Sequence, residues 1–429
     1  MLKRRGVISI KKMKDEYPEI KKEIKEEFAK KKIKKDSQAL VHVLSKICEP
    51  MELTPLMLDY NIEDIQIMGY DRNVVVSHSQ YGVCTTNLIF RKEKKRIMAI
   101  LDRILLGTNR QISHLNPIID ASMTDGSRIN ATLHSISPEG PTITIRKFLP
   151  KPITIIDFVR RKHITPEVAA LLWLYMDGFQ TMPLNFIVGG GVGSGKTTLV
   201  NALTAFIPPE EVMLTIEDTK ELIPLNENVI SLLSKPPVIE GTGGITQDFL
   251  LKASLRKNPD RIIIGEMRGE EAASLFSAMN IGRKCLTTIH ANSAEEAIDR
   301  LTNPPMNVPK ELTSLIDVII MTARINKGEK IIRRIFQISE VIKKEGSDEV
   351  EINLIYERDP ATDSLKKVNE LKKVEEIAKN SGMSVEGVLK DLEKRKKIIE
   401  KLAESNADLM KIKAVIDKYH RETIKSSLM

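Results

Sequence analysis

The residues with the clearest chemical capability run from Phe186 to Thr198 and read Phe-Ile-Val-Gly-Gly-Gly-Val-Gly-Ser-Gly-Lys-Thr-Thr. Gly190, four intervening residues and Gly195-Lys196-Thr197 fit the phosphate-loop pattern G-x-x-x-x-G-K-S/T. Glycine has no Cβ, so the backbone of Gly190, Gly191, Val192, Gly193, Ser194 and Gly195 can curl its N–H groups around phosphate oxygens. A helix starting here adds the partial positive charge of its N-terminus. Lys196 is then placed to reach the β- and γ-phosphates. The Thr197 hydroxyl is placed to ligate Mg2+, with Thr198 one step further into the helix. The ligands implied are ATP and Mg2+.

Three further clusters sit where apolar runs end. Leu214-Thr-Ile-Glu-Asp-Thr219 carries Glu217 and Asp218 at the tip of a buried strand. In a parallel sheet that edge faces the ligand, and a carboxylate there can orient or deprotonate an attacking water. Arg261-Ile-Ile-Ile-Gly-Glu266 places Glu266 as a second handle on Mg2+. Thr287-Thr-Ile-His290 ends a further run with an imidazole able to touch the γ-phosphate and report its loss. Taken singly, an acidic pair after a strand is often an ordinary helix start and a lone histidine is often structural. Together behind a phosphate loop, the clusters reinforce one another.

The elements that must position these groups follow from periodicity. Leu184–Val188, Val212–Ile216, Arg261–Ile264, Cys285–Ile289 and Val318–Thr322 are short apolar runs suited to a buried parallel sheet. Thr197–Phe206, Thr246–Lys257, Gly269–Ile281 and Ala294–Leu301 lie between them with helical spacing. This alternation predicts a doubly wound α/β domain over residues 153–360. Ile331–Ile342 and Val350–Tyr356 read as an antiparallel pair about Gly346-Ser347. Upstream, 37–148 reads as a mixed α/β domain. Its predicted strands are at 62–68, 74–79, 83–90, 130–134 and 142–146, with a helix at 91–106. Residues 1–36 form a basic helical lead-in. Pro150-Lys-Pro152 marks a linker at 149–152. Residues 361–429 form a charged helical extension in which Val385, Val388, Leu389 and Leu392 make one apolar stripe.

Composition sets the bounds. The 429 residues are 41% hydrophobic and 29% charged, which describes a globular protein. The apolar run Ala169–Met176, preceded by Val168, is too short to span a bilayer. No signal peptide is evident, so a cytoplasmic location is expected. Cys48, Cys84 and Cys285 are scattered, which supports neither a zinc site nor a disulfide framework. Net charge is +8, and the first 36 residues hold fourteen Lys or Arg against seven Asp or Glu. That lead-in suits an anionic membrane surface, an acidic partner or nucleic acid, and equally a solvated charged helix.

The four motifs, in this order, resemble those of the secretion ATPases of type II and type IV systems, and most closely the archaeal branch. Glu63-Asp-Ile with Gly69-Tyr, the Asp125-Gly-Ser-Arg128 segment and the helical extension carry the archaeal likeness. The resemblance implies a RecA-like P-loop motor domain behind the mixed N-terminal domain. It implies that Lys196 and Thr197 hold phosphate and Mg2+, that Glu217 activates water, that Glu266 supports Mg2+ or water, and that His290 is a sensor. It also implies that Arg128 and Arg146 reach the phosphates when the domains close, where guanidinium groups neutralise developing charge. A surface salt bridge is the alternative role for both arginines.

The same resemblance implies a homo-hexamer at the inner face of the cytoplasmic membrane. It would drive a polytopic platform protein that assembles pilus- or archaellum-type filaments or secretes protein. Two other readings stay open. One is a RecA-like nucleic-acid translocase, against which aromatics are only 4% and scarce in the basic segment; no nucleic acid is therefore expected. The other is a scaffold that binds ATP without turnover.

Overall fold

A computed structural model describes residues 9–30, 48, 50–91, 93–108, 110–148, 152–235, 243–328, 330–344, 346–405 and 407–427. Residues 149–151 of the linker expected at 149–152, most of residues 37–49 and the ends of the basic lead-in lie outside the described residues. The chain divides into two compact units, 1–150 with 326–331, and 151–325 with 332–429.

The first unit is built on a six-stranded sheet of order β3-β2-β1-β6-β5-β4. Its strands are β1 (Ile62–Met68), β2 (Asn73–His78), β3 (Gly82–Ile89), β4 (Ile118–Ser122), β5 (Arg128–Thr132) and β6 (Thr142–Arg146). Alternation decides which face is buried: Ile65 and Ile67 of β1 and Ile143 and Ile145 of β6 point into one apolar core, which Ile62 joins across a register shift in β1. Helices α1 (Ile10–Asp15), α2 (Tyr17–Lys30) and α3 (Lys94–Leu105) contribute to that core. The basic lead-in is therefore more than a charged face in water. Ile10, Met13, Ile20 and Ile24 are buried in the core, and Lys14 Nζ meets Asp125 Oδ2 at 2.5 Å.

The second unit carries a nine-stranded sheet of order β15-β14-β13-β12-β7-β11-β10-β8-β9. The strands are β7 (Phe186–Gly190), β8 (Met213–Glu217), β9 (Val229–Leu233), β10 (Arg261–Ile264), β11 (Lys284–Ile289), β12 (Val318–Lys327), β13 (Lys330–Lys343), β14 (Val350–Asp359) and β15 (Ser364–Lys367). From β12 through β9 the neighbours run parallel. Beyond β12 the sheet turns antiparallel through the β13–β14 pair. The helices α4 (Pro166–Asp177), α5 (Lys196–Thr204), α6 (Gln247–Ser254), α7 (Glu271–Asn280) and α8 (Ala294–Thr302) cover the two sheet faces. The phosphate-loop strand β7 thus sits between β12 and β11, with β10 and β8 beyond. This is the RecA-like arrangement of a P-loop domain.

Three strands escape sequence reading. β4 follows Pro117 and buries only Ile119 and Ala121, leaving Ile118 exposed. β9 and β15 are short strands at the two edges of the sheet, with no strand beyond them among the described residues.

The helical extension divides into α9 (Lys372–Ser381), α10 (Val385–Glu404) and α11 (Leu409–Ser427). Gly382, in the left-handed region at φ 67°, ends α9. The buried line of α10 is also displaced from the expected stripe. Val385 and Leu389 are exposed, while Val388, Asp391, Arg395, Ile399 and Leu402 are buried. Arg395 is 0% exposed and reaches Asp177 Oδ2 at 2.5 Å and Asp391 Oδ2 at 2.6 Å. Its guanidinium lies 5.2 Å from the ring centre of Trp173, which stacks on Phe206. A charged residue takes an apolar position because two carboxylates balance its charge through Nε and Nη1 and aromatic faces pack on it, leaving Nη2 without a hydrogen-bond partner.

Candidate active site

The phosphate loop is shaped by β7, whose five residues are all buried, and by α5, which starts at Lys196. Gly190 has φ 152°, and a Cβ there would stand 2.4 Å from the Thr322 carbonyl oxygen. Only glycine fits at that point. Gly195 caps α5 at φ 94°. Gly191, Val192 and Gly193 form the exposed crest of the loop and Ser194 turns inward. The Ser194 and Thr322 hydroxyls meet at 2.8 Å, and Thr322 Oγ1 reaches the Gly189 carbonyl at 3.0 Å. β12 therefore fastens the loop from the side opposite β11. Thr197 and Thr198 are half-buried in the first turn of α5.

Lys196 is buried, and its ammonium donates to the carbonyls of Gly190 and Gly191, both at 2.9 Å. It also stands 3.4 Å from His290 Nδ1. Burial pulls its pKa below the usual lysine value, with the Glu266 charge opposing. A phosphate entering the loop would take over this ammonium from the two carbonyls, exchanging neutral partners for an anionic one.

Parallel register brings the other strand tips alongside. Ile264 of β10 pairs with Ile216 of β8 and Thr287 of β11, and Ile289 of β11 pairs with Gly189 of β7. The residues just past these pairs are Glu217, Gly265, Thr288 and His290. His290 Nε2 approaches Glu266 Oε1 to 2.6 Å, an ion-pair distance without the alignment of a hydrogen bond. The other Glu266 oxygen accepts from Arg268. Burial, then the neighbouring Lys196 charge, lowers the His290 pKa, which favours the neutral imidazole.

Glu217 is 2% exposed. Its Oε1 accepts from the backbone N–H groups of Glu221 and Leu222, each at 2.9 Å, and its Oε2 is buried without a partner. Burial raises its pKa to about 7, against the pull of the two backbone donors. Gly265, just before Glu266, packs against Glu217: a Cβ there would stand 3.2 Å from Glu217 Cγ, a tight contact. Asp218 turns aside and accepts from Ser234 Oγ at 2.6 Å.

The donor set suits a nucleotide with Mg2+. The loop offers backbone N–H groups and one ammonium. Thr197 and Glu266 offer hard oxygens, and the orphaned Glu217 oxygen asks for a donor such as water. Among the described residues no cluster of three or more His, Cys, Asp or Glu could hold a metal by protein groups alone. Mg2+ here would share its coordination with phosphate oxygens.

Arg128 and Arg146 fall in the first unit, directly opposite each other on β5 and β6. Arg128 lies 3.7 Å from Asp120, and Arg146 lies 3.3 Å from Asp64. Sequence reading missed Thr322, Arg324 and Arg333, which flank the loop from β12 and β13. A polar residue closing the apolar run of β12 was the one available signal.

A glycine cradle, an inward lysine and acidic strand tips on a RecA-like sheet define a P-loop ATPase. Over residues 35–421 the chain matches the family model of the type II/IV secretion system proteins, and it belongs to that family. An uncharacterised protein of Methanocaldococcus jannaschii is 32% identical, over 82% of this chain and 63% of its own length. A second from that organism is 35% identical, over 58% of this chain and 91% of its own length. The conjugal transfer protein TrbB of Rhizobium radiobacter is 33% identical, over 50% of this chain and 66% of its own. The chain thus spans less than two thirds of the first of these relatives.

Proposed function

We propose that this chain is the ATP-driven motor of a secretion or filament-assembly machine, working as a homo-hexamer on a membrane platform protein at the cytoplasmic face. The observation that carries the chemistry is the gathering of Glu217, Glu266 and His290, just past the tips of adjacent parallel strands, around Lys196 at the start of the loop's helix. A relative named for conjugal transfer is in keeping with work at a membrane export machine. Among the described residues no helix is long and apolar enough to cross a membrane.

In this reading Glu217 holds the attacking water through its unpartnered oxygen and takes its proton as the water oxygen bonds to the γ-phosphorus. The bond to the bridging oxygen breaks and ADP leaves. A carboxylate with a pKa of about 7 suits a general base working near neutral pH. Mg2+, held by Thr197 and Glu266, would screen phosphate charge. His290 links Glu266 to Lys196, so loss of the γ-phosphate would be felt at both. Arg128 and Arg146 would supply further positive charge on domain closure, and Pro150-Lys-Pro152 would be the hinge.

The test is ATP turnover of the full chain with Mg2+ across pH 5.5–8.5. Wild type should speed up through about pH 7 and then level off. Glu217→Gln should bind nucleotide normally yet turn over about 100- to 10,000-fold more slowly. Turnover within about threefold of wild type would remove Glu217 as the base. Strong stimulation by DNA alone would point instead to a nucleic-acid translocase.

A further inference from the structure

We propose that Arg324 is a phosphate-contacting residue supplied by the same unit as the loop, and that Arg333 positions the loop for it. The proposal rests on the nucleotide-site reading above and adds residues that the four motifs do not contain. β12 and β13 are neighbours in the sheet, and both pass beside the loop crest. A Cβ placed on Gly193 would stand 3.6 Å from Arg324 Nη1 and 3.8 Å from its Cδ. The Arg333 Nε donates to the Gly193 carbonyl at 2.8 Å. The Arg333 Cδ lies 3.6 Å from where a Gly195 Cβ would be. Two arginine side chains therefore lie within van der Waals range of positions 193 and 195. Both glycines hold positive φ, 69° and 94°.

The charges around the loop show which cation is available. Lys196 is engaged with Gly190 and Gly191. Arg268 is paired with Glu266. Arg333 is committed through its Nε to Gly193. Arg324 is exposed on its strand and, among the described residues, has no carboxylate partner. A planar fork of donors with no counter-charge, beside a loop built for a polyanion, matches bidentate phosphate binding. By gripping the Gly193 carbonyl, Arg333 fixes the loop crest next to which Arg324 must work.

The experiment is fluorescence titration of the full chain with mant-ADP and mant-ATP, with Lys196→Ala as the control for loss of the site. Arg324→Ala should weaken mant-ATP binding by about 10- to 100-fold, the effect of losing one hydrogen bond to a charged group. Arg324→Lys should recover part of this, since it keeps the charge and loses the fork. Arg333→Gln should weaken binding less. Combined with Arg324→Ala it should add almost nothing, because it acts through the contact already removed. A purely structural role for Arg333 would give losses that multiply. Trp173 fluorescence reports that each variant is folded. If wild type binds and Lys196→Ala does not, while Arg324→Ala and Arg324→Gln bind within twofold of wild type, the arginine proposal falls and the nucleotide site stands. If wild type fails to bind either nucleotide, both fall.

Discussion

Replacing Glu217 by glutamine should remove turnover, and its effect on the stability of the ATPase unit should shift in favour of glutamine as pH rises, by a calculable amount. The folded carboxyl sits at about 7, against 4.5 for an ordinary glutamate, because burial disfavours its charge. Protonation therefore supports the native state below about pH 4.5. That support is lost as pH rises to and through about 7. At about 1.4 kcal/mol per tenfold, the charged form costs the native state about 3 kcal/mol at pH 8 and under about 1 kcal/mol at pH 5. Glutamine keeps an oxygen for the Glu221 and Leu222 N–H groups but sets an NH2 where the unpartnered Oε2 now lies. An unsatisfied buried donor costs roughly 1–3 kcal/mol, the same at every pH. The absolute difference between the variants is thus small, but its change from pH 5 to pH 8 should be roughly 2.5 kcal/mol in favour of glutamine. Urea unfolding followed by Trp173, the single tryptophan, measures this directly. A difference that stays constant within about 0.5 kcal/mol across that range would refute a buried, charge-penalised Glu217.

Two further substitutions probe the scaffold. Arg395→Ala leaves Asp177 and Asp391 without their shared cation and should cost about 3–5 kcal/mol in urea unfolding; a loss below about 1 kcal/mol would mean the pair is dispensable. Gly190→Ala drives a methyl into the Thr322 carbonyl and the Ser194 hydroxyl. Mant-ATP affinity should fall by about 10-fold or more, as expected for 1–3 kcal/mol of overpacking spent on displacing the loop; unchanged affinity would show that the loop has slack there.

The site was legible to the extent that chemistry sits at the ends of apolar runs. Glu217, Glu266 and His290 could be placed together because a parallel sheet puts every strand's C-terminal tip on one edge. Thr322, Arg324 and Arg333 could not, because only strand order brings β12 beside β7. Thr322 is 128 residues from Ser194 in the chain. The α10 stripe failed for a different reason. Hydrophobic spacing counts Asp391 and Arg395 as outward, yet they neutralise each other and pack inward, so Val385 and Leu389 are left outside. The lead-in hid its role in the same manner, with four apolar residues set among many lysines anchoring α1 and α2 in the first unit.

The burial of Arg395 carries a practical consequence for anyone cutting this chain down to a minimal motor. α10 and α11 look like a detachable charged tail, but Tyr419 and His420 of α11 flank Trp173 edge-on, and Arg160 donates to the carbonyls of Leu402 and Ser405. A clone stopped before α10 would strand Asp177 in an oily hollow and bare an indole to solvent. The shortest fragment worth expressing keeps both helices.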